Sequence, residues 1–194
     1  MTRAEGPDGV GHVPPRHSQQ QAAEGAAHHP DLDTRLTAEL TAVVAGARRR
    51  AVRDGDRQID TAHLLHTLLE SDSEVRAVFG GPQVARLLGY LVQRAIGYGL
   101  RWQGTVEDSG AVPVPSEPEG WSPTAAGALD AAYERAVRRG DACACGLDLL
   151  AAIVADPESR AVEVLGRAGV DTGALPERIE ARDAAERYGP GSSG

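Results

Sequence analysis

Three small groups of side chains in this 194-residue chain are of the types that do chemistry. His63 and His66 stand three residues apart, with Asp60 just before them. On one helix, that spacing brings two imidazoles and a carboxylate close enough to hold a divalent cation. The competing account packs His63 near the helix start and leaves His66 on the surface. We adopt it, because a second copy of this segment within the chain carries Asp148 and Ala151 at the same places. Cys143 and Cys145 are separated by one residue, whereas metal knuckles use two intervening residues and a second ligand pair. They read as small apolar side chains at a loop-to-helix junction. Ser71 and Ser122 could serve a Ser-His-Asp hydrolase only in a strand-turn-helix context, which neither has. The adjacent His28 and His29 lie in a segment poor in large apolar residues and read as solvent-exposed filler. No catalytic residue, metal or cofactor is therefore assigned.

The basic residues narrow the chemistry further. All 20 are arginine, and there is neither lysine nor asparagine, a bias expected of a GC-rich coding sequence. Mechanisms built on a lysine are excluded: the P-loop, the Schiff base and the kinase-type lysine. A Gly-rich phosphate loop is also missing, so ATP hydrolysis and enzyme activity are not expected. Arg48, Arg49 and Arg50, with Arg53, form a run suited to an acidic partner, echoed by Arg135, Arg138 and Arg139. The formal net charge of −8 argues against nucleic acid as a partner. No apolar run is long enough for a membrane span, and the N-terminus lacks the basic and apolar regions of a secretory signal. The expectation is a cytoplasmic protein without membrane attachment.

The elements that position these residues are written twice. Residues 36–69 and 121–154 align without a gap at an offset of 85, and nine of the 34 pairs are identical, against roughly three by chance. The shared residues include Ala51/Ala136, Gly55/Gly140, Asp56/Asp141 and Leu64/Leu149. After one deletion the match resumes, Asp72, Glu74 and Arg76 recurring as Asp156, Glu158 and Arg160. Aromatics make up only 4% of the chain, so the core must be Leu, Val, Ile and Ala, which suits packed helices.

Leu36, Leu40, Val43, Val44, Ala47 and Ala51 predict an apolar stripe on a first helix, capped by Thr37 and stopped by Gly55. A second helix starts near Thr61, and a third covers about 74–79. A fourth runs about 82–96, with Val84, Leu87, Leu88, Leu91, Val92 and Ala95 on its apolar face. The second copy restarts at Ser122-Pro123, its stripe running from Ala125 to Ala136 and Val137. Helices over about 147–155, 159–168 and 172–187 complete it. The fold class is all-α, with eight helices in two four-helix halves related by pseudo-two-fold symmetry. The expected organisation is a disordered tail over 1–33, repeats over 34–99 and 121–188, an extended linker over 100–120, and a flexible tail over 189–194. Trp102 in the linker could line a groove between the repeats or cover the core.

These repeats resemble a known family. The string Gly55-Asp56-Arg57-Gln58-Ile59-Asp60-Thr61-Ala62-His63-Leu64-Leu65 is similar to the glycine, short turn, Thr-Glu-His-Leu-Leu signature of the Clp repeat. Gly140, Leu149 and Leu150 keep it in the second copy, and Gly169-Val170-Asp171 matches the family's ending. The resemblance covers residues 35–188. It implies the N-terminal domain of the ClpA, ClpB and ClpC types of AAA+ unfoldase, an eight-helix domain that recruits substrates and adaptors of Clp proteolysis. No ATPase module accompanies it here, so the resemblance implies a free-standing domain that recognises without unfolding. Its partners would be Clp unfoldase or protease components, adaptors or degradation substrates. In ClpC-type domains the motif glutamate and a hydroxyl at the start of each repeat help hold phosphoarginine. The hydroxyls match Thr37 and Ser122, but the glutamate positions are Ala62 and Leu147, which removes the carboxylate that would pair the guanidinium. The expected contact surface is the groove between repeats near Leu36, Thr37, Trp121 and Ser122, with Arg48, Arg49 and Arg53. The alternatives are a module that sequesters a small peptide-like ligand there and, more remotely, a hydrolase.

Overall fold

The computed structural model describes residues 34–56, 58–95, 107 and 120–188. The expectations for both tails, for Trp102 and for most of the 100–120 linker lie outside these residues. Among the described residues the chain forms eight α-helices. These are α1 (Ala38–Asp54), α2 (Thr61–Ser71), α3 (Ser73–Phe79), α4 (Gly81–Ala95), α5 (Pro123–Arg139), α6 (Gly146–Val154), α7 (Arg160–Arg167) and α8 (Leu175–Tyr188). The all-α, double four-helix expectation holds. No helix of the described residues is long and apolar enough to cross a membrane.

The first helix of each half begins and ends by the same devices. The Thr37 hydroxyl accepts from the Leu40 amide at 3.2 Å, and the Ser122 hydroxyl accepts from the Ala125 amide at 3.1 Å. Each satisfies one orphan donor of a first helical turn. At the far ends, Gly55 (φ 74°) and Gly140 (φ 86°) adopt the left-handed conformation and return their amides to the last turn.

The halves interlock rather than sit side by side. In each, the first two helices form a hairpin, α1 on α2 and α5 on α6. The remaining helices cross over: α2 and α4 pack on α7, and α3 packs on α6 and α8. Two isolated parallel bridges stitch the halves, Leu36 to Ala144 and Ile59 to Trp121. Each is the other shifted by 85 residues. One hydrophobic core therefore runs through both halves, built from the paired leucines of α2 and α6, with Phe79 and Trp121 as its large aromatics.

Two stripe expectations need correction. Val137 is 50% exposed and Val92 is 51% exposed. Each follows a buried residue, Ala136 or Leu91, and one step along a helix turns a side chain about 100° off the covered face. Val52, the counterpart of Val137, is exposed for the same reason.

Candidate functional site

The junction of the halves gathers helix N-termini, and one carboxylate joins three of them. Glu107, from the segment between repeats, is 4% exposed. Its Oε2 accepts from the Thr61 amide at 2.9 Å and from the Ser122 hydroxyl at 2.8 Å. Its Oε1 accepts from the Arg160 amide at 2.7 Å and from the Thr61 hydroxyl. These donors open α2, α5 and α7, so the charge sits where three helix dipoles converge. Arg160 also reaches Asp60 at 2.8 Å, and the Ala161 amide donates to the Thr61 hydroxyl at 3.1 Å. Nothing in the Gly- and Pro-rich sequence around Glu107 marks it out, because a lone glutamate in a linker carries no periodicity.

Among the described residues no linker carboxylate enters the pseudo-equivalent junction, where a different arrangement serves the helix start. Gly146 stands at the Thr61 position, and a Cβ there would lie 1.9 Å from Asp72 Oδ2. The Asp72 carboxylate thus lies against the start of α6 while its other oxygen caps α3, accepting from Glu74 and Val75 amides at 2.9 and 3.0 Å. A cleft of about 370 Å³ opens beside it, lined by Thr37, Glu39, Asp72, Glu74, Gly146 and Glu186 among others. Burial, together with Glu74, Asp183 and Asp72, raises the Glu186 carboxyl above its ordinary range. Near the first junction a cleft of about 230 Å³ is walled by the small residues Thr124, Gly127, Ala128, Ala131 and Ala152, with Ile153 beside them.

Leu36 and Trp121 are 4% and 1% exposed, and Ser122 is fully buried. This corrects the expectation that they present a contact surface: as the bridging residues and the cap, they form the inner wall of the junction. Thr37, half-buried, reaches the rim of the acidic cleft. Arg49 and Arg53 are exposed and Arg48 half-buried, on α1 and away from the bridges, so the structure separates them from the other four residues. Arg135 and Arg139, read as echoing the arginine run, instead point inward to Asp148. The Ser122 hydroxyl proton goes to Glu107 and that of Ser71 to the Thr67 carbonyl at 2.7 Å.

His63 and Asp148 occupy the same place in the two copies, the third position of α2 and α6. His63 takes the Asp60 amide on Nδ1 at 3.1 Å, and its Nε2 lies 3.1 Å from Asp56 and 4.0 Å from Asp54. Asp148 takes the Cys145 amide at 2.9 Å and is gripped by Arg135 and Arg139. Arg139 is the counterpart of Asp54, so one contact position joins an imidazole to a carboxylate in the first copy and a carboxylate to a guanidinium in the second. Burial pushes the Asp148 carboxyl up, but hydrogen bonds from Arg139, Cys145 and Arg135 outweigh it and hold the group below its ordinary range. Burial lifts the Cys145 thiol to about 11, so it stays protonated at neutral pH.

Asp56, Asp60 and His63 do place ligand-type atoms within 4.8 Å of one another. Their geometry is accounted for by the helix cap and the Arg160 ion pair, and His66 faces elsewhere, 3.4 Å from Glu70. His66 is 3% exposed, which corrects its expected surface position: α1 lies over this face of α2, and burial with Arg50 nearby lowers its pKa to about 4.

No family model matches the chain, and no curated sequence matches it. Solved structures do. The N-terminal domain of the caseinolytic protease associated chaperone ClpD from Arabidopsis thaliana superposes with a TM-score of 0.60 at 17% identity, covering 81% of this chain and 99% of that one. The N-terminal domain of Hsp104 from Candida albicans gives 0.57 at 13% identity, over 80% and 92% of the two chains. A structure described as part of a malarial protein secretion system gives 0.56 at 14%, over 78% and 96%. Duplicated helices, matched caps and crossed halves thus amount to one recognised architecture: the chain has the fold of the Clp and Hsp104 N-terminal domains.

Proposed function

We propose that this chain is a non-catalytic protein-recognition module of the cytoplasm. It would bind segments of Clp unfoldase or protease components, of their adaptors or of degradation substrates, and so modulate Clp-dependent proteolysis. The observation that carries this reading is the pair of clefts flanking the junction in a fold shared with chaperone N-terminal domains. Thr37 and Thr124 stand at the cleft walls, while Leu36, Trp121 and Ser122 hold those walls from behind.

The lining favours unphosphorylated partners. Ala62 and Leu147 supply no carboxylate for a guanidinium, and Glu107 already fills the helix N-termini at the first junction. Around the second, Arg182 holds Glu74, but Glu39, Asp72 and Glu186 leave an excess of negative charge that repels a phosphate and attracts a basic side chain. The apolar cleft of about 230 Å³ admits one side chain; a drug-sized ligand needs about 300–1,000 Å³. That size favours a partner segment over a sequestered peptide-like molecule.

Ala131→Trp would fill the apolar cleft from its exposed rim without touching the core. Capture of Clp components by the wild-type chain and its loss in this variant would support the reading. Peptide hydrolysis that disappears in Ser122→Ala would overturn it.

A further inference from the structure

A second surface, which meets the acidic cleft only at Ser71 and shares no lining residue with the apolar one, has its own chemistry. Between α1 and the end of α2 lies a groove of about 370 Å³ lined by Ala42, Gly46, Arg49, Arg50, Arg53, Thr67, Glu70 and Ser71. Gly46 forms its floor: a Cβ there would fall 2.6 Å from Thr67 Cγ2, and the Arg49 guanidinium lies over that point. Arg50 holds the Glu70 carboxylate, and its Nε is buried with no partner among the described residues. Arg53 is 65% exposed along its side chain and, among the described residues, contacts its neighbour Asp54 at 3.5 Å. The hydroxyl protons of Thr67 and Ser71 are spent on backbone carbonyls, so guanidinium groups are the donors on offer.

The other half serves as an internal control for what the fold requires. At an offset of 85, Arg49 becomes Glu134, Thr67 becomes Ala152 and Glu70 becomes Ala155. Arg53 becomes Arg138, which pairs with Glu134 at 3.7 Å, and Arg50 becomes Arg135, which is consumed by Asp148, Glu180 and Asp183. The same helix pair therefore packs without a cationic groove. The cationic groove, though not every arginine in it, is thus a property of the first half, in a chain of net charge −8.

We infer that this groove docks an acidic segment of a partner protein through its Asp or Glu side chains. A carboxylate already sits there on Arg50, showing the chemistry the groove accepts. Arg49 and Arg53 stand one helical turn apart, about 5–6 Å between Cβ atoms. Alternate side chains of an extended segment are about 6.6 Å apart, so carboxylates at every second residue meet both guanidiniums. A long polyanion such as nucleic acid is disfavoured by the overall negative charge.

The test uses the full chain and a fluorescein-labelled peptide of alternating Glu and Ser, read by anisotropy, with alternating Lys and Ser as the control peptide. The acidic peptide is expected to bind, and Arg49→Glu/Arg53→Glu to weaken it by about tenfold or more. Arg86→Glu/Arg138→Glu, an equal charge change at other exposed positions, is expected to leave binding within about twofold. Thermal unfolding of both variants checks that they fold. Equal losses in the two variants, no binding by the wild type, or displacement by inorganic phosphate as readily as by unlabelled peptide would overturn the inference. So would dimerisation in sedimentation that the Arg49/Arg53 variant abolishes, since the occupant would then be a second copy. Ala131→Trp leaves this groove intact, so failure here is distinguishable from failure of the junctional clefts.

Discussion

Glu107 is the residue on which the junction turns. Removing it strands the Thr61 and Arg160 amides and the Ser122 hydroxyl in a buried space. Glu107→Ala is therefore expected to lower unfolding free energy by about 2–4 kcal/mol, measured by urea denaturation. Glu107→Gln should also destabilise, because its amide group would turn hydrogen towards donors. His66 gives a pH dependence. Its pKa falls from 6.5 to about 4 in the folded chain, so the fold favours the neutral imidazole. Its contribution is whole above pH 6.5 and is lost as pH falls from there towards about 4. His66→Leu should flatten the stability profile across that interval. Neither residue was legible in advance. His66 looked like a surface position because only its spacing was available, and the burial comes from α1 crossing over it. Glu107 had no pattern at all, and its role exists only once three helix ends have met.

The elements were far easier to read. Thr37, Ser122, Gly55 and Gly140 act through contacts within four residues, so their caps follow from local sequence. The stripes were right where a residue lies at the centre of its face, as with Leu40 or Ala132, and wrong at edges such as Val92 and Val137. The pairing of α1 with α2 and of α5 with α6 contains a sharper test. His63 with Asp54, and Asp148 with Arg139, fill one contact position with the acidic residue on opposite helices. Asp148→His would set an imidazole against Arg135 and Arg139 and should cost about 3 kcal/mol. Adding Arg139→Asp rebuilds the first half's pair and should recover part of that loss. A double-mutant cycle measures the coupling, which would be near zero if the two sites were independent.

At the scale of the whole molecule, the duplication foretold two halves but not how they engage. The crossing of α2 and α4 onto α7, and of α3 onto α6 and α8, makes the core common property. Either half alone, residues 34–99 or 121–188, should show no cooperative unfolding transition in circular dichroism, whereas the full chain should show one. Divergence between the halves then becomes the record of function. What both copies keep are caps, turns and core leucines. What only one keeps, the arginine groove or the acidic cleft, the fold does not require. The central claim is that such surfaces recognise proteins of the Clp system. The most direct measurement is quantitative capture from cell extract by the immobilised wild-type chain and by its Ala131→Trp variant. Enrichment of Clp unfoldase or protease subunits, or of their adaptors, with the wild type and its loss with the variant is the predicted result. Equal capture by both chains, or none of these proteins with either, would contradict it.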